Sequence, residues 1–154
     1  MSLKKNDEVV VKIEDMTSEG SSVAHYDSQA VFVRGAVTGD EIFAHIIKAK
    51  KKYAIGVVKD IIKPSPYRVE SDCPVSVKCG GCSFRNMNYD AELQYKYNRV
   101  CDAVSRIGHI DAPVREIIKS DCIEHYRNKA QYPVIIENGE LSYGFYAYKS
   151  HRII

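Results

Sequence analysis

Short apolar runs, each closed by turn residues, organise the first sixty positions of this 154-residue chain. They predict five strands, at about 8–16, 22–26, 29–33, 40–48 and 53–62, with turn signals at Ser18-Glu19-Gly20, Tyr26-Asp27-Ser28 and Thr38-Gly39-Asp40. Five strands in so little chain bury their apolar residues only by curling into a small barrel, and the oligonucleotide-binding type is expected. Pro64 and Pro66 cannot donate to a ladder, so the last strand stops before them and a domain boundary is expected there.

Farther on the spacing changes. Leu93, Tyr97, Val100, Cys101, Val104 and Ile107 recur at helical intervals, with Arg99, Asp102 and Arg106 facing away, which predicts one long helix over 89–107. Asn88 can cap its start and Gly108 can end it. The last segment predicts a hairpin, 129–137 and 140–148, around Asn138-Gly139, a pair suited to the positive φ of a two-residue turn. The expected fold class is mainly β with one long helix. An OB-like five-stranded barrel is expected over 1–63, a linker over 64–72 and a partial α+β domain over 73–154.

Composition adds bounds. Hydrophobic residues are 45% and charged residues 27%, ordinary values for a globular protein. No apolar run approaches the roughly 18 residues of a membrane span, and no stretch at the start is apolar for long enough to make a secretory signal expected. With five cysteines, an odd number, this points to a reducing cytoplasmic setting and to metal or catalysis over a disulfide framework. The net charge of +2 hides an asymmetry: Lys48, Lys50, Lys51, Lys52, Lys59, Lys63 and Arg68 stand against Asp60 alone between 48 and 68. Such a stretch points to a face turned to a polyanion, with eleven tyrosines as stacking surfaces. A solvated lysine edge that protects a strand from aggregation is the alternative.

Candidate chemistry gathers in Cys73-Pro-Val-Ser-Val-Lys-Cys79-Gly-Gly-Cys82. Zinc-binding pairs usually sit two to four residues apart, whereas three clustered cysteines with a distant fourth are more the habit of iron-sulfur proteins. The paired glycines let the backbone turn sharply and bring peptide N–H groups close to sulfur. A zinc site completed by His109, His125 or His151, and a redox pair of Cys79 and Cys82, remain open. Cys101 falls in the helix's apolar stripe and Cys122 lacks a flanking Lys or Arg, so neither is expected as a nucleophile.

Taken in order, these segments resemble the bacterial RNA (uracil-5-)-methyltransferases, S-adenosylmethionine-dependent enzymes with an N-terminal TRAM domain, an iron-sulfur central domain and a C-terminal catalytic domain. Glu19-Gly-Ser-Ser-Val-Ala24, Phe32-Val-Arg-Gly-Ala-Val-Thr-Gly-Asp40 and Ser65-Pro-Tyr-Arg-Val-Glu70 resemble TRAM segments. Cys73…Cys79-Gly-Gly-Cys82, Tyr126-Arg-Asn-Lys129, Gly144-Phe-Tyr146 and Ser150-His151 resemble the central domain. Ser22 and Thr38 depart from a glycine and a proline common in the family, and Ser83 and Arg85 replace frequent glutamines.

The resemblance implies a TRAM RNA-binding barrel over 1–63 and part of an iron-sulfur domain over 73–154. It implies Cys73, Cys79 and Cys82 as ligands of a 4Fe-4S cluster, and Lys50, Lys51, Lys52, Tyr53, Arg68, Arg127 and Lys129 as RNA contacts. It places the fourth cluster cysteine and the S-adenosylmethionine-binding catalytic domain beyond Ile154, so this chain is expected to lack catalytic residues and to be inactive alone, with its cluster incomplete or absent. The expected role is the RNA-binding part of a uridine C5-methyltransferase acting on 23S rRNA in the cytoplasm. A tRNA-directed enzyme and a stand-alone RNA binder with a zinc-stabilised module are the other readings. Uncovered apolar strand edges would favour a dimer or strand exchange.

Overall fold

Along β1 (Glu8–Met16), Val9, Val11 and Ile13 turn inward while Glu8, Val10 and Lys12 face out, the two-residue period of a strand covered on one side. The same alternation shapes β2 (Ser22–Tyr26), β3 (Gln29–Arg34), β4 (Glu41–Ala49) and the start of β5 (Tyr53–Lys63). In this computed structural model, which describes residues 2–154, the five strands close into a barrel in the order β1-β2-β3-β5-β4. Every pairing is antiparallel except β3 with β5, where Val33 lies opposite Gly56. Leu3, Ala24, Val31, Val33, Ala36, Ile42, Ala44, Ile46 and Ala54 complete the core, a fully buried Val or Ile contributing about 1.5–3 kcal/mol. At Glu14-Asp15 the alternation breaks and β1 shifts register against β2, a bulge that bends the strand.

The expected linker is bonded on both sides. Asp40, with no exposed surface, accepts from the N–H of Val37 at 2.6 Å and of Ser65 at 2.8 Å. Its third partner is Arg68, whose Nη2 donates at 2.5 Å and also reaches the Gly35 carbonyl. Arg68, expected among the RNA contacts, thus has its guanidinium engaged with a buried carboxylate, and its side chain is 14% exposed. Val69 N–H donates to Asn86 O and Asn88 N–H to Tyr67 O, each within 2.9 Å, which carries the stretch directly into the next element.

A second apolar cluster of Met16, Val37 and Met87, flanked by Phe84, Ala91 and Tyr95, joins the barrel to α1 (Tyr89–Asp102). Asn88 caps this helix as expected, its side chain accepting from Ala91 N–H at 2.9 Å. The final turn widens into a π-helical turn over Ala103–Ile107, closed by Gly108 N–H on Ala103 O. The apolar stripe is only partly covered: Leu93 is buried and Cys101 half-buried, but Val100 and Ile107 are exposed.

No regular element occupies 108–133. β6 (Val134–Glu137) and β7 (Glu140–Tyr143) then form the hairpin, with Asn138 and Gly139 both at positive φ as their turn requires. It is shorter than expected because the chain after Tyr143 leaves its partner. Ala147 pairs with Cys79 and Tyr146 with Ile153 instead. Among the described residues no helix is long and apolar enough to cross a membrane.

Candidate nucleic-acid interface and thiol loop

The turn from β4 to β5 carries Lys50, Lys51, Lys52 and Tyr53. Lys50 N–H donates to Tyr53 O at 2.8 Å, which makes the turn tight and pushes the lysine side chains outward. Gln29 fixes it from beneath: nearly buried, it donates from Nε2 to Lys50 O at 2.7 Å and accepts from Leu3 N–H at 2.9 Å. Among the described residues none of the three lysines takes part in an ion pair. With Ser2, Asp27, Ser28 and Gln29, Lys51 and Lys52 line an open depression of about 430 Å³. Tyr53, 36% exposed, stands edge-on to Phe32 at 5.8 Å between ring centroids. Unpaired cations beside an aromatic pair are suited to phosphates and a stacked base.

The other basic residues of the stretch behave differently. Lys59 is held by both Glu8 carboxylate oxygens, at 2.8 and 2.9 Å, and lies 5.2 Å from the Phe43 ring centroid. That hydrogen bond keeps the Glu8 carboxyl below its ordinary value. Arg127 and Lys129 sit exposed on the irregular stretch before β6, the Arg127 guanidinium 5.9 Å over the Tyr126 ring. Glu124, close to them in sequence, faces Arg85 at 3.7 Å.

The cysteine loop is pinned along its length. Cys79 is half-buried, and Gly81 N–H donates to its sulfur at 3.4 Å. Gly80 N–H donates to Tyr146 O at 2.9 Å, and a Cβ on Gly80 would also stand 2.9 Å from that oxygen, so only glycine fits. Cys73 is half-buried, its N–H on Ser71 Oγ, while Cys82 is exposed near Arg85, whose guanidinium pairs with Asp72. The donor chemistry suits a thiophilic centre, but the placement does not. Among the described residues no three His, Cys, Asp or Glu side chains are grouped to hold a metal ion, with or without His109, His125 and His151.

Gln29, Phe32, Arg34 and Asp40 escape the sequence reading. Phe32 and Arg34 were accessible to it, since they alternate with buried Val31 and Val33 and so face outward on β3. Gln29 and Asp40 act through partners distant in sequence, which no local pattern reveals.

The TRAM domain family matches residues 3–59, the barrel up to most of β5. A protein of Halalkalibacterium halodurans named as an uncharacterized RNA methyltransferase is 47% identical, over 99% of this chain and 33% of its own length. Similarly named proteins of Clostridium tetani and Listeria monocytogenes are each 40% identical over 99% of this chain and cover 33% and 34% of their own lengths. The chain thus spans about a third of the length of the curated relatives it matches. A crystal structure of Pyrococcus abyssi tRNA (uracil-54, C5)-methyltransferase with S-adenosyl-L-homocysteine matches 65% of this chain and 21% of that one, at 22% identity and a TM-score of 0.41. The chain therefore matches the TRAM domain family over residues 3–59 and, over 99% of its length, is similar to proteins named RNA methyltransferases.

Proposed function

We propose that this chain is the RNA-binding portion of an S-adenosylmethionine-dependent RNA uridine C5-methyltransferase that acts on ribosomal RNA in the cytoplasm. The observation that carries the reading is a TRAM-like barrel presenting an exposed Lys50-Lys51-Lys52 turn beside Tyr53, with no ion pair on these lysines among the described residues, in a chain similar along its length to proteins named RNA methyltransferases. Uridine C5 chemistry is supported by the ordered central-domain segments from Cys73 to His151. Lys50, Lys51 and Lys52 neutralise phosphates, Tyr53 and Phe32 stack a base, and Arg127 and Lys129 add a second cationic contact from the stretch before β6.

Methyl transfer to C5 of uracil needs a thiolate to add to C6 and a base to remove the C5 proton. We assign neither role to a residue of this chain. Cys122 Sγ donates to Glu124 O at 2.8 Å, and Cys101 is half-buried on α1. Cys73, Cys79 and Cys82 are the ligands we assign to an iron-sulfur cluster, which the loop must close further to hold. Deleting the gene and mapping 5-methyluridine in ribosomal and transfer RNA by mass spectrometry tests the assignment. Loss of a ribosomal site is expected; loss confined to transfer RNA overturns the substrate, and no loss overturns the reaction.

A further inference from the structure

Arg34 ends β3 on its outward side, directly after buried Val33. Its Nη2 donates to the Cys79 carbonyl at 2.6 Å, and its guanidinium carbon stands 4.0 Å over the Tyr148 ring. One side chain thus joins the barrel, the cysteine loop and the segment after β7. That segment is tied to the same loop by Gly80 N–H on Tyr146 O at 2.9 Å and Tyr148 N–H on Lys78 O at 3.3 Å. Beyond the loop, Ser83 rests on the β1–β2 turn at Gly20, where a Cβ would lie 2.4 Å from that of Ser83.

A charge-assisted hydrogen bond and a guanidinium over an aromatic face are strong contacts for a loop otherwise open to water. Lysine cannot reproduce the planar fork that makes both together. We infer that Arg34 is a positioning residue, which anchors the Cys79 loop and its sulfur to the barrel so that the thiol's accessibility is set by β3. The Gly81 N–H on sulfur exists only while the loop keeps this path. The inference stands on the loop's geometry and needs neither RNA nor metal; its consequence for the proposed cluster is that the barrel must be folded for the thiols to be presented.

Iodoacetamide alkylation of the 154-residue chain, with each cysteine followed by mass spectrometry, tests it. Arg34→Ala is expected to speed alkylation of Cys79 by about tenfold or more, the loss of one charged hydrogen bond read through local opening. Cys101 on α1 is expected to keep its rate, and Arg34→Lys to fall between Arg34→Ala and the unchanged chain. Tyr148→Ala, which removes the stacked ring alone, is expected to accelerate Cys79 less. An unchanged Cys79 rate in Arg34→Ala overturns the inference. So does equal acceleration of Cys79 and Cys101, which would report general loosening of the fold. RNA is absent from the assay, so its failure leaves the RNA reading standing, and the reverse also holds.

Discussion

Asp40 and Arg68 show what one buried pair does for the fold. Burial pushes the Asp40 carboxyl up, but hydrogen bonds from Arg68, Ser65 and Val37 outweigh it and hold the carboxyl below its ordinary value. A depressed carboxyl contributes stability that is complete above its unfolded value of about 3.9 and is lost as pH falls through the lower folded value. Arg68→Ala strands a buried charge and is expected to cost about 3–5 kcal/mol in urea unfolding at neutral pH, a penalty that shrinks as pH falls and Asp40 is protonated. Gln29→Ala is expected to cost about 1–3 kcal/mol, since it leaves Leu3 N–H and Lys50 O unpaired, and to speed amide exchange in the lysine turn before the barrel opens. The lysines and cysteines stand out in the sequence as single residues because their types suggest chemistry, while their roles await the tests proposed. The pairing of Arg68 does not, because the carboxylate that claims it lies 28 positions away.

Elements were read according to how local their causes are. All five barrel strands sit within a residue or two of expectation, since alternation and turn residues are local and agree with the closed sheet. The helix start was legible in Asn88, and the hairpin turn in Asn138-Gly139, because both depend on neighbouring backbone alone. The hairpin's length was not. It is decided by Cys79 and Ile153, which pull the chain after Tyr143 into pairings no periodicity encodes. Burial along α1 likewise follows what packs against it, not its spacing. Met87→Ala is therefore expected to cost about 2–5 kcal/mol, as it empties the cluster that joins α1 to the barrel. Val100→Ala, half exposed on the nominal stripe, is expected to change stability by no more than about 0.5 kcal/mol in the same thermal or urea measurement.

For the whole molecule, two surfaces differ in kind. The register of β6 and β7 puts Val134 opposite Tyr143 and Ile136 opposite Leu141, and all four side chains are more than half exposed. An apolar strand pair so open favours association of chains. Sedimentation at rising protein concentration is expected to show a growing dimer, which Ile136→Lys combined with Leu141→Lys abolishes; a monomer at all concentrations would contradict this. The barrel's outer surface carries instead the exposed lysine turn and the Phe32–Tyr53 pair, the features assigned to RNA. The affinity of the chain for single-stranded, uridine-containing RNA across a salt series tests that assignment most directly. Contact with about five phosphates gives a slope of log affinity on log salt near −3.5, and Lys51→Ala with Lys52→Ala makes it shallower by about 1.4. A slope near zero, or one that the double substitution leaves unchanged, would contradict RNA binding through this face.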